Sequence, residues 1–119
     1  MTVKRIVANI ATNDPARAVS FYGELLGLEQ VMDQGWIRTF ATAPGSAQQV
    51  SFASEGGSGA AVPDLSIEVD DLAAVHRRMV DAGLAIEYGP VAEPWGVTRF
   101  FVRDPFGRLL NILAHSDPA

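Results

Sequence analysis

The 119-residue sequence contains no cysteine, which removes disulfide frameworks, thiolate metal sites and cysteine nucleophiles from consideration. Basic residues are scarce too, nine Lys and Arg against fourteen Asp and Glu, for a formal net charge of −5. Nucleic acid is therefore excluded as a partner, because neutralising phosphates needs a basic stripe. No apolar run approaches the roughly 18 residues of a membrane span, and Met1-Thr2-Val3-Lys4-Arg5 opens neither an apolar leader nor a cleavage-like site. The expectation is a soluble, cytoplasmic protein with no membrane partner. Histidine is rare as well. His76 is flanked by Arg77 and Arg78 on a helix and His115 lies near the end of the sequence, so both are expected at the surface. That leaves no histidine to serve a Ser-His-carboxylate set.

What is present is a 48% apolar chain, enough for one domain with a single core and no covalent staple. Within it a pattern recurs. A strand-like run from Ile6 leads through Asn13-Asp14-Pro15 to an amphipathic helix over about 15–26 and then Gly27; a second run from Leu65 leads through Asp70-Asp71 to a helix over about 71–82 and then Gly83. Asp14 and Asp70 are 56 residues apart, and so are Gly27 and Gly83. Equal offsets at both ends of the helix indicate a duplicated unit. Strands are predicted over 28–32, 36–41, 48–53, 65–69 and 86–88, with Glu55 to Gly59 a flexible linker that lacks the Lys-Ser or Lys-Thr of a phosphate loop. The fold class is α+β: two β-α-β-β-β units, about 1–54 and 62–117 with linker 55–61, forming a half-open sheet around a shared cleft.

The last quarter is the most specific segment. Glu93-Pro94-Trp95-Gly96 opens a run that turns at Asp104-Pro105-Phe106-Gly107 and returns as 108–115. Asp first, Pro second and Gly fourth suit a type I turn, so the two runs form a hairpin. The combination EPWG…RFFVRDPFGRLLNIL resembles the closing segment of the vicinal oxygen chelate superfamily, which includes glyoxalase I, extradiol dioxygenases, fosfomycin-resistance enzymes and bleomycin-binding resistance proteins. Its Pro-Trp-Gly turn is most similar to the bleomycin-resistance branch.

Strand alternation assigns faces. Ile6, Ala8 and Ile10, then Leu65, Ile67 and Val69, then Leu110 and Ile112 are expected to pack on helices, leaving Asn9, Asp64, Ser66, Glu68 and Asn111 to floor the cleft, with Trp36, Phe40, Phe52 and Trp95 as aromatic walls. The resemblance implies that a metal, where one is bound, is held at positions occupied here by Val7, Ser51, Asp64 and Asn111. Only Asp64 is a strong ligand, so no metal, no cofactor and no catalytic residue is assigned. The implied function is metal-free binding of a small organic ligand, a hydrophobic or cationic natural product being sequestered, by a homodimer such as single-domain relatives form. The alternative is a lyase, isomerase or dioxygenase-like enzyme of the same superfamily that uses Asp64 or Glu68 as its base.

Overall fold

The structure, a computed structural model, describes residues 1–116; residue 117, the expected end of the second repeat, lies outside them. Among the described residues are eight strands in two compact units, one of Ile6–Val62 and one of Met1–Arg5 with the residues from Pro63 onward. The expected division put residues 1–5 in the first unit. They group with the second because the Thr2 amide donates to Asp70 Oδ1 at 2.8 Å, the Asp70 amide donates to the Thr2 carbonyl at 3.1 Å, and Arg5 Nε lies 3.1 Å from Glu68 Oε1.

In the first unit β2 (Glu29–Asp33), β3 (Ile37–Ala41) and β4 (Gln48–Ala53) form an antiparallel meander, and β1 (Val3–Ala11) runs parallel to β4. In the second, β6 (Ile86–Glu93), β7 (Val97–Arg103) and β8 (Leu109–His115) form the meander, and β5 (Leu65–Val69) runs parallel to β8. Both units thus follow one scheme, as a duplication requires. Gly27 and Gly83 both take left-handed backbone angles, φ 79° and 84°, at the ends of their helical segments. This conformation is strained for any residue with a side chain, which explains glycine at both ends of the repeat.

The helical segments differ. Helix α1 (Leu72–Asp81) is regular, and Asp71 caps it by accepting from the Ala74 amide at 3.1 Å. Its buried Val75, with Leu72 and Met79, packs against Phe100, Val102, Ile112, Ile67 and Val69. The first unit has no single α-helix over 15–26. A 3-10 turn, Pro15–Arg17, precedes a π-wound segment, Val19–Leu25, whose i→i+5 pattern shows in the Leu26 amide bonding the Phe21 carbonyl at 3.0 Å. Asp14 makes no side-chain cap. The wider winding turns Leu25 and Leu26 out of the expected apolar stripe, and both are exposed. Ala18, Val19 and Tyr22 still pack on Phe40, Phe52 and Val50, and Gly23 permits the approach, since a Cβ there would stand only 3.4 Å from the Phe40 ring.

Two further expectations are corrected. Ile6 and Ile10 share the face of Val50 and Phe52, as register requires, but the short helical segment does not cover them and both are exposed. The linker is a hydrogen-bonded loop: the Gly56 amide donates to the Ala60 carbonyl at 2.7 Å and the Gly59 amide to Glu55 Oε1 at 2.9 Å. A Cβ at Gly56 would stand 1.9 Å from the Ala61 carbonyl oxygen, so only glycine fits.

Candidate functional site

The second unit's sheet has one face under α1. Register places the other set of side chains, Ser66, Glu68, Asn111, Leu113, Phe101 and Arg99, together on the opposite face. This is the face that alternation assigned to Ser66, Glu68 and Asn111. Asn111 Nδ2 donates to Ser66 Oγ at 3.1 Å, while its Oδ1 is buried and has no hydrogen-bond partner among the described residues. Leaving a buried acceptor unmatched costs about 1–3 kcal/mol, so this oxygen is a place for a donor from outside. Asp64, two residues before Ser66, is exposed, and its Oδ2 accepts from the Leu109 amide at 3.1 Å.

Glu68 is half-buried and already engaged. One of its oxygens lies 3.1 Å from Arg5 Nε and the other 2.6 Å from His115 Nδ1. His115 is thereby tethered on a carboxylate instead of standing loose at the surface, although its ring remains half-exposed.

Trp95 is presented by the expected turn, where the Gly96 amide donates to the Glu93 carbonyl at 3.2 Å. Its ring does not stand open for a cationic ligand. The Arg99 guanidinium lies 5.0 Å from the Trp95 ring centre, 4.9 Å from that of Phe101 and 5.2 Å from that of Tyr88. Glu93 completes the group: Arg99 Nε and Nη2 reach Glu93 Oε2 at 2.7 and 2.5 Å, and the Tyr88 hydroxyl donates to the same oxygen at 2.9 Å. Both charged side chains are almost fully buried, 3% and 4% exposed, so each depends on the other for its solvation. Sequence reasoning missed Tyr88, Glu93 and Arg99. A Glu and an Arg on facing strands of a hairpin, next to three aromatics, were the signal available.

In the first unit, the buried polar residues opposite the helical segment are uncharged. Thr39 Oγ1 and Ser51 Oγ share a hydrogen bond at 2.7 Å, both buried, and Asn9 is the Cα partner of Ser51 on the other side. Val7 shares this face and is buried. Phe40 and Phe52 do not belong to it. Their rings lie 5.9 Å apart edge to face in the core under Tyr22, so two of the expected aromatic walls are corrected to packing residues. Trp36 lies just before β3, half-buried, with its carbonyl accepting from the Ser54 amide at 2.9 Å.

The residues at the positions implied for a metal do not fit one. Val7 has no donor atom, the Ser51 hydroxyl is held by Thr39, Asn111 offers a neutral amide, and Asp64 is the lone carboxylate. Among the described residues no three His, Cys, Asp or Glu side chains come together as a metal would need.

His76 also departs from expectation. Its ring stands edge-on to the fully buried Phe100, 5.2 Å between centres, so it leans on the sheet and is half-buried. Leu72, His76 and Val80 recur every four residues, and that spacing marked the face the neighbouring arginines obscured.

A model of the Glyoxalase/Bleomycin resistance protein/Dioxygenase superfamily matches residues 3–112. A search of curated proteins finds no match. Among solved structures, the chain is similar to an NAD-dependent benzaldehyde dehydrogenase from Legionella pneumophila (18% identity over 93% of this chain and 99% of that one, TM-score 0.73). It is also similar to methylmalonyl-CoA epimerase from Mycobacterium tuberculosis (23% identity, 98% and 88%, TM-score 0.65). A further likeness is to a member of the matching superfamily from Vibrio splendidus 12B01 (17%, 95% and 99%, TM-score 0.63). At these identities the likenesses establish the fold and nothing finer.

Proposed function

The chain belongs to the glyoxalase/bleomycin resistance protein/dioxygenase superfamily, and from that premise we propose that it binds a small organic molecule without a metal, through the polar face of its second unit. The observation that carries this reading is the Asn111 amide: buried, fixed by Ser66, with its oxygen unmatched. A ligand hydroxyl or amide hydrogen would satisfy that oxygen, and the exposed carboxylate of Asp64 would take a second donor. The aromatic group around Trp95 already holds the protein's own cation, which favours a neutral, hydrogen-bonding ligand over a cationic one. The Pro94-Trp95-Gly96 turn supports a sequestering role of the bleomycin-resistance kind, and exposed Phe21, Leu25 and Leu26 support a homodimer, to be checked by light scattering.

The test has two arms. Metal analysis of protein purified without chelator should find less than one transition metal per chain, and one tightly held metal per chain would refute the reading. A thermal-shift screen should return donor-rich neutral compounds, and Asn111→Leu should weaken each by about 1–3 kcal/mol, the value of a buried acceptor. Trp95→Ala should weaken them less, because that ring is occupied by Arg99.

One observation favours a second reading. The 2.6 Å contact between His115 and Glu68 orients an imidazole as a proton-transfer group would be oriented, as in an isomerase or lyase of the superfamily. Under it, His115→Gln abolishes turnover of a substrate that still binds; unchanged turnover would dismiss it.

A further inference from the structure

The other side of the second unit carries a groove of about 660 Å³ between α1 and strands β6, β7 and β8. Its size falls in the range of small-molecule pockets, about 300–1,000 Å³. Leu72, Val80, Pro90 and Ala114 supply apolar walls. His76 adds a wall that is anchored, since its ring rests edge-on against Phe100. His115 closes one end, held by Glu68.

The groove does not share the acidity of the chain. The protein as a whole is at −5, yet the groove sets one guanidinium, Arg77, against one carboxylate, Asp81, with the two imidazoles as further hydrogen-bonding groups. Arg77 is exposed and its guanidinium forms no hydrogen bond or ion pair with any described residue, so its five side-chain donors are uncommitted. From this we infer that the groove is a second binding site, one for a free organic anion with an apolar body and a single carboxylate or sulfonate head that Arg77 reads. An apolar trough ending in an unpaired guanidinium suits that class and rejects its cationic counterpart.

The probe is 8-anilinonaphthalene-1-sulfonate, followed by fluorescence on the whole chain, with octanoate and octylammonium as competitors. Octanoate should displace it and octylammonium at equal concentration should not. Arg77→Gln and Arg77→Glu, both at an exposed helix position, should weaken the probe about tenfold or more, the size of one charge-assisted hydrogen bond. Ala73→Trp, which fills the groove, should abolish binding, whereas Arg108→Glu, the same charge change on an exposed turn, should leave it unaltered; circular dichroism confirms that each variant is folded. Absence of binding, equal displacement by octylammonium, or full affinity in both Arg77 variants would overturn the inference. So would a dimer that Ala73→Trp converts to monomer, because a second copy would then be the occupant.

Discussion

The two units share a strand order and differ in what they bury on the face away from their helices. The first holds an uncharged row, Asn9, Ser51 and Thr39, closed by a single hydroxyl pair at 2.7 Å. The second buries an Arg-Glu pair inside three aromatic rings and leaves an amide oxygen unmatched. Topology depends only on the alternation of apolar residues, and many residues satisfy it. The polar face is under no such constraint, so a duplicated scaffold can keep one half as support and fill the other with chemistry.

The sharpest way to break that comparison is Glu93→Ala. It leaves the Arg99 charge buried without its partner and should lower stability in urea by about 3–5 kcal/mol, while Glu93→Met with Arg99→Met should recover most of the loss. Ser51→Ala, the matching change in the first unit, should cost less, about 1–3 kcal/mol, because it leaves only the neutral Thr39 hydroxyl buried without its partner. Equal losses at the two positions would show the faces to be energetically alike.

The helix starts give a smaller contrast. Asp71→Ala removes a cap that accepts from Ala74 and should cost about 1 kcal/mol, whereas Asp14→Ala removes none and should change thermal stability by only a few tenths of that. The smallest effect is at Asp70, whose carboxyl is held below the ordinary carboxylate range first by the Thr2 amide. A lowered folded-state value means stability that is present above the ordinary carboxylate pKa, about 4, and lost as pH falls through the lowered value. Denaturation of wild type and Asp70→Asn should therefore differ at about pH 6, with the gap closing toward about pH 2.

Much of this was legible in the sequence where one signal had no rival. Leu65, Ile67 and Val69 alternate cleanly with polar residues, and the faces of β5 and β8 follow. Asp104 and Gly107 define their turn: the Gly107 amide bonds the Asp104 carbonyl at 3.1 Å, and Asp104 Oδ1 takes the Phe106 and Arg108 amides. The faces of β3 and β4 were ambiguous, since Trp36, Ile37, Phe40 and Ala41 put apolar groups on both sides and either phase reads equally well. Tertiary packing under Tyr22 decided it for Phe40 and Phe52. The pairing of Glu93 with Arg99 depends on a strand that extends well past 86–88, and β6 meets β7 through two register shifts, one between Ile86 and Tyr88 and one between Tyr88 and Val91, that no spacing rule anticipates.

Arg99 can also be regarded as a ligand that happens to be covalently attached. Three ring faces and a carboxylate surround its head group as they would surround a guest, and the strand serves as the tether. Truncating it in Arg99→Ala would turn the interior of the hairpin into an empty receptor for a planar cation. Millimolar methylguanidinium should then raise the melting temperature of that variant and leave the wild type, whose receptor is permanently filled, unmoved.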